Sequence, residues 1–326
     1  MNALQRLRAR TRLPVIAAPM FLVSGPNLVV AQCVSGVIGA FPSLNARPQE
    51  QLPDWLSRIE RGLAKAREAD PGRLIAPYAV NLIVHESNPR WRGDLAICVE
   101  HRVPLVITSL HPPDAVVKAV HDYGGLVMHD VTTVRHARRA LQAGVDGLIL
   151  VAAGAGGHAG RINPFALVNE VRAFYDGPLA LAGCIGRGKD ILAAQLMGCD
   201  FAYMGTHFIA TEESLASAGY RDMVVAATAD DIVYTPYFSG VPGNYLRPSI
   251  QAAGLDPSAL DVRPAAAVNL DKSTRPKAWK DVWSAGQGVG AVQEALPVSV
   301  LIDQLAMEYD AALRAARELP FSSPLR

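Results

Sequence analysis

An α/β fold of the (β/α)₈ TIM-barrel class, followed by a lid segment and a terminal helix, is predicted by three features of this chain. Eight short segments rich in Val, Ile, Leu and Ala recur between Val15 and Met204, each followed by a turn and a longer stretch at helical spacing. That is the pattern of parallel strands buried on both faces by crossover helices. Glycine stops and proline starts fall where helix ends prefer them. Eight units also favour closure over an open doubly wound sheet, which more often has fewer strands and one switch point.

The predicted strands are 15–19, 37–41, 76–82, 105–108, 126–129, 146–151, 178–182 and 201–204, with helices at 49–69, 113–123, 133–143, 164–175 and 189–197. Gly144 and Gly198 stop two of these helices. After Thr206 the alternation ends. Residues 234–248 read YTPYFSGVPGNYLRP, dense in Pro, Gly and Tyr, and suggest a lid; 255–289 is loop-rich, and 298–318 is a helix suited to docking on the barrel exterior. The expected organisation is a barrel over 1–210, a lid and substrate-side segment over 211–295, and a terminal helical region over 296–326. The 326 residues exceed the ~250 typical of a bare barrel, which leaves room for these additions.

Half of the residues are apolar and 19% are charged, a globular composition. With 31 Lys and Arg against 30 Asp and Glu, no whole-molecule field recruits nucleic acid or an anionic membrane, so a small-molecule substrate is expected. The arginines at 6, 8, 10 and 12, and at 135, 138 and 139, are spaced like solvated faces. Cys33, Cys98, Cys184 and Cys199 form no Cys-x-x-Cys pair, which predicts neither zinc nor disulfides and fits a reducing, cytoplasmic setting. The basic N-terminus and following apolar run imitate a signal peptide, but Pro14 and Pro19 break the run and Gln32 precedes Cys33 where a small residue is needed. No stretch of ~18 apolar residues predicts a membrane helix.

Chemistry in such a barrel belongs at the C-terminal strand ends. Five are unusual: Ala18–Met20, Val80–Asn81, the GAGGHAG run over 154–160, AGCIG over 182–186 and MGT over 204–206. Glycine turns after strands seven and eight suit a phosphate, through backbone N–H groups of Gly183, Gly186 and Gly205 and the Thr206 hydroxyl. The same glycines could serve only to tighten βα turns. His158 lies among Gly156, Gly157 and Gly160, in a loop where backbone can approach a flat ligand while an imidazole overlooks it. An imidazole near pKa ~6.5 can accept or donate a proton at cellular pH. His85, His111, His129 and His207 also fall near strand ends but form no metal triad, so no metal is expected; Asp130 is placed to orient a ring or hold a hydroxyl. No Gly-x-Ser-x-Gly elbow or Walker loop is present, against hydrolase and ATPase readings.

In this order, PVIAAPM, AVN (79–81), AGGHAG (155–160), AGCIG, YMGT (203–206) and WSAGQGVG (283–290) resemble the nitronate monooxygenase family of FMN-dependent barrels. The resemblance implies FMN with its phosphate at Gly183, Gly205 and Thr206. It places Met20, Asn81 and Gly156 near the isoalloxazine or ribityl chain, Tyr203 and Met204 as backbone contacts, Gln287 close to the flavin, and His158 as the catalytic histidine. The implied reaction is oxidation of alkyl nitronates, or nitroalkanes, by dioxygen to a carbonyl compound and nitrite, with His158 as base or as hydrogen-bond donor. One departure matters: the Gln and Glu that many members carry ahead of the histidine run are Val151 and Gly154 here. Two alternatives share the barrel: an NAD(P)H-dependent flavin reductase acting on quinones or enoyl thioesters, and a flavin-free phosphate-binding isomerase or lyase.

Overall fold

The computed structural model describes residues 2–260 and 276–318; parts of the segments read as 255–289 and 296–326 lie outside the described residues. In chain order the strands are β1 (Val15–Ala17), β2 (Gly39–Pro42), β3 (Tyr78–Val84), β4 (Leu105–Leu110), β5 (Leu126–Val131), β6 (Gly147–Val151), β7 (Gly157–His158), β8 (Leu179–Ala182), β9 (Phe201–Met204), β10 (Ile232–Thr235) and β11 (Gly243–Leu246). Eight of them form one parallel sheet in the order β1-β9-β8-β6-β5-β4-β3-β2. A parallel bridge between Ile16 and Ile38 closes it, with the Ile38 N–H donating to Val15 O (3.0 Å) and the Ala17 N–H to Ile38 O (2.8 Å). The sheet is a (β/α)₈ barrel.

The apolar runs without alternation have the meaning expected of two-sided burial. In β9, Phe201 and Tyr203 join the interior cluster while Ala202 and Met204 join the layer between strands and outer helices. The helices are α1 (Ala3–Arg8), α2 (Pro26–Val34), α3 (Leu52–Ala69), α4 (Trp91–Glu100), α5 (Asp114–His121), α6 (Val134–Gln142), α7 (Pro164–Arg172), α8 (Gly188–Leu196), α9 (Thr206–Ile209), α10 (Ala218–Ala226), α11 (Arg247–Ala252) and α12 (Val298–Arg317). None among the described residues is long and apolar enough to cross a membrane.

Two expectations need correction. The N-terminal arginines are not merely solvated: α1 covers the lower mouth of the barrel with Leu7 buried, and Arg6, Arg8 and Arg12 tie it down through Gly124 O (2.6 Å), Asp200 (3.1 Å) and Asp303 (2.5 Å). The glycine run is not a free loop: β10 and β11 pair antiparallel, and β7 adds to that hairpin, with His158 opposite Gly243 and Gly157 opposite Asn244. The last described helix, α12, packs on α8 and α2, and its Glu308 accepts the Gly188 N–H (2.7 Å) at the start of α8.

Candidate active site

A cavity of about 1110 Å³ opens at the C-terminal ends of the barrel strands. Its walls include Met20 after β1, Asn81 on β3, Val151 on β6, Gly183 after β8 and Thr206 after β9, while residues from the β10–β11 hairpin and from 276–288 cover it. Two segments distant in sequence hold the glycine run. The Gly157 N–H donates to Ser284 Oγ (2.8 Å), Ser284 Oγ donates to Asn244 O (2.5 Å), and Asn244 Nδ2 donates to Ala155 O (2.7 Å).

Backbone pairing in β7 fixes His158, and its ring meets Trp279 edge to face at 4.9 Å. Its Nε2 lies 2.8 Å from Ser239 Oγ. The Ser239 hydroxyl donates to Val241 O (3.0 Å), and a carbonyl can only accept, so the serine oxygen is left to accept the Nε2 proton. The ring is thereby set as the tautomer whose lone pair is on Nδ1. Burial lowers its pKa to about 4, so the imidazole is neutral at neutral pH.

The turns after β8 and β9 carry the residues expected to hold a flavin phosphate. Gly183 has φ +138° and a Cβ there would sit 2.7 Å from Ala153 O; on Gly205 it would meet Ala18 Cβ at 3.3 Å. Thr206 Oγ1 accepts the Gly286 N–H (2.9 Å), which leaves its own proton to donate outward. This is a close-fitting set of N–H and O–H donors at adjacent strand ends, and it fits a phosphate. Gly186 does not belong to it, because Asp190 Oδ2 already accepts the N–H groups of Gly186 (3.0 Å) and Arg187 (2.9 Å). With Glu308 on Gly188, carboxylates have taken the start of α8.

On the inner wall, Asn81 Nδ2 donates to Ile107 O (3.2 Å) and Ser109 Oγ (2.8 Å), and Ser109 donates to Asp130 Oδ2 (2.6 Å). Asp130 does hold a hydroxyl, and the chain orients the Asn81 amide so that its oxygen remains as acceptor. Burial raises the Asp130 carboxyl to about 7. His129, next to it, shares a hydrogen bond with Thr108 (2.8 Å) and is lowered to about 4 by burial, then by His136. Val151 contributes no hydrogen-bonding side chain. Gly154 has φ +84°, and a Cβ built there collides with Cys184 Sγ, so the turn as it stands has no space for a glutamate.

Met20, Asn81, Gly156, His158, Gly183, Tyr203, Gly205 and Thr206 are brought to one cavity. Met204 and Gln287 are not among its lining residues: Met204 is buried in the outer layer, and Gln287 is exposed beside Cys184, its N–H donating to Gly154 O (2.9 Å). Ser239, Trp279, Asn244 and Ser284 were missed by sequence reasoning. Only WSAGQGVG carried a signal for one of them, Ser284.

The family model described as nitronate monooxygenase matches residues 5–308. A nitronate monooxygenase of Paraburkholderia phytofirmans is 26% identical, over 94% of each chain. A Mycobacterium tuberculosis protein named as a monooxygenase is 33% identical over 50% of this chain, a match that spans 44% of that protein's length. Among solved structures, the Streptomyces ansochromogenes nitroalkane oxidase superposes with a TM-score of 0.75 at 23% identity, covering 95% of this chain and 99% of that one. FabK of Thermotoga maritima gives 0.76 at 22%, covering 98% and 99%. These two likenesses concern the fold; the match over 5–308 concerns ancestry, and by it the chain belongs to the nitronate monooxygenase family of flavin-dependent oxidoreductases.

Proposed function

We propose that the chain oxidises alkyl nitronates, and nitroalkanes after deprotonation, with FMN and dioxygen, yielding a carbonyl compound and nitrite. The carrying observation is a neutral imidazole held by Ser239 in the cavity whose rim bears the phosphate-type donor set. Gly183, Gly205 and Thr206 would hold the FMN phosphate, while Met20, Asn81, Gly156 and Tyr203 would border the ring system. The chemistry that FMN supplies when bound is acceptance of an electron from the nitronate and its passage to dioxygen.

Of the two roles open to His158, the geometry favours the base. Its single N–H is engaged with Ser239, so Nδ1 is the atom that can take a proton, here from the carbon next to the nitro group. Ser239 is a positioning residue. Ser239→Ala should lower kcat/KM for a neutral nitroalkane by roughly tenfold while a preformed nitronate loses less, since the freed ring samples both tautomers. Equal losses on the two substrates would show that the serine does not set the tautomer.

Oxygen uptake by FMN-loaded protein with primary alkyl nitronates tests the function itself. Uptake with stoichiometric nitrite is expected, and none at any nitronate chain length would remove the proposal. An NAD(P)H-dependent flavin reductase is the second reading. Both readings place FMN and a substrate in the cavity of about 1110 Å³, so its volume does not separate them. Anaerobic bleaching of the flavin by NADH or NADPH would support that reading.

A further inference from the structure

Along one wall of the cavity, four side chains stand in a row. His158 meets Trp279 at 4.9 Å, Trp279 meets Phe21 edge to face at 6.3 Å, and the Arg47 guanidinium carbon lies 4.7 Å over the Phe21 ring. All four line the cavity. Leu22, Val23, Ile83 and Leu110 add apolar surface to the same space.

Arg47 is exposed, with one local hydrogen bond and no ion pair among the described residues. Its Nε donates to Leu44 O (2.8 Å), which leaves the two terminal nitrogens of the fork for a partner. No carboxylate among the described residues pairs with it. Arg90 also lines the cavity, but its counter-ion is Asp94 (3.1 Å), and several hydrogen bonds to that carboxylate and to nearby carbonyls absorb its fork. Burial, and then Arg90, pull the Arg47 pKa below the ordinary guanidinium value. Arg139, Arg161, Lys277 and Lys280 add positive charge to the cavity lining, where Asp130 is the one carboxylate among the described residues. An exposed guanidinium that lies over an aromatic ring on the cavity lining, with no carboxylate among the described residues paired to it, is suited to a planar or tetrahedral oxyanion, which its fork can bind through two hydrogen bonds.

We propose that Arg47 is the anion-recognising end of a substrate subsite running along Trp279 and Phe21, so that the substrate processed at His158 carries an apolar arm ending in a carboxylate or phosphate. This assignment rests on the reading of His158 as the reacting end. Two aromatic rings separate imidazole from guanidinium, so the arm is longer than that of a simple nitroalkane.

The test is calorimetric titration of FMN-loaded protein with octanol, octanoate and octyl phosphate, none of which turns over. At least one anion should bind roughly tenfold or more tightly than octanol, the range expected of charge-assisted hydrogen bonds. Arg47→Gln should abolish that advantage and leave octanol binding unchanged, whereas Arg139→Gln should retain most of it. Whichever of octanoate and octyl phosphate holds the larger advantage identifies the headgroup. Equal binding of all three ligands would overturn the proposal. So would equal losses in the two variants that both vanish at high salt, because a diffuse field would then account for the preference. Arg47-dependent anion binding in a protein that oxidises no nitronate would instead sustain the subsite and remove the proposed reaction.

Discussion

His158→Asn should lower kcat/KM for neutral nitroalkanes by roughly 10²–10⁴-fold, the range removed with a general base, while preformed nitronates lose far less. The variant should still bind FMN, because His158 contributes no donor to the turns after β8 and β9. Equal losses on both substrate forms would contradict the base assignment, and retained activity on both would take His158 out of the mechanism. The wild-type pH profile gives a second check. With the folded imidazole lowered to about 4, the base-competent form is present at neutral pH and is lost only as pH falls through about 4. Nitroalkane turnover should therefore stay level into mild acid and then decline.

The same burial has a sign in stability. Unfolded imidazoles near ~6.5 bind protons before the folded His158 and His129 do, so their contribution is complete above ~6.5 and is lost as pH falls toward 4. Asp130, raised to about 7, acts oppositely: the folded carboxyl keeps its proton, and the stability this provides is lost as pH rises toward 7. Two imidazoles against one carboxyl make these groups, taken together, less stabilising as pH falls between about 6.5 and 4.

The barrel was legible because a strand buried on both faces must be apolar almost throughout, and runs such as LVIT in β4 and GLIL in β6, bounded by turn residues, are too short for a core helix. The cover was not. In β7, β10 and β11 the segments are two to four residues long and carry Gly, His, Tyr and Asn, so no alternation marks them, and β7 pairs with β11 across a long stretch of sequence, Gly157 with Asn244 and His158 with Gly243. That pairing turned a glycine loop into a fixed mount for His158. Ser239 shows the same limit: nothing in YFSGVPG distinguishes the serine that binds the imidazole from a turn-forming one. At the phosphate turn, glycine and threonine were readable as donors, yet the loss of Gly186 to Asp190 depended on a side chain four positions away that reads from sequence as an ordinary helix-start carboxylate. In β9 the Tyr203 side chain faces the interior and that of Met204 faces the helices, an alternation that leaves the expected backbone role of Met204 untouched.

Gly183→Ala should weaken FMN binding by roughly 10–100-fold, a magnitude set by the ~1–3 kcal/mol cost of a strained backbone position together with a carbonyl contact that must give way. Gly183 sits at φ +138°, a conformation essentially reserved for glycine, and the added Cβ would lie 2.7 Å from Ala153 O. Relief requires the turn to rotate, and rotation reaims the N–H groups that would meet the phosphate beside Gly205 and Thr206. Gly290→Ala is the matched control, since a Cβ there meets nothing within 4 Å. Flavin-fluorescence titration gives the affinity, and the thermal midpoint of the apoprotein separates a damaged turn from a damaged fold. A lowered midpoint with unchanged FMN affinity would mean that this glycine serves only the packing of β8 on β6, and the phosphate would have to be held elsewhere on the rim. Weakened FMN binding with an unchanged midpoint would instead tie the glycine's conformation to the cofactor, because the strain would then be felt only where the backbone donors must converge.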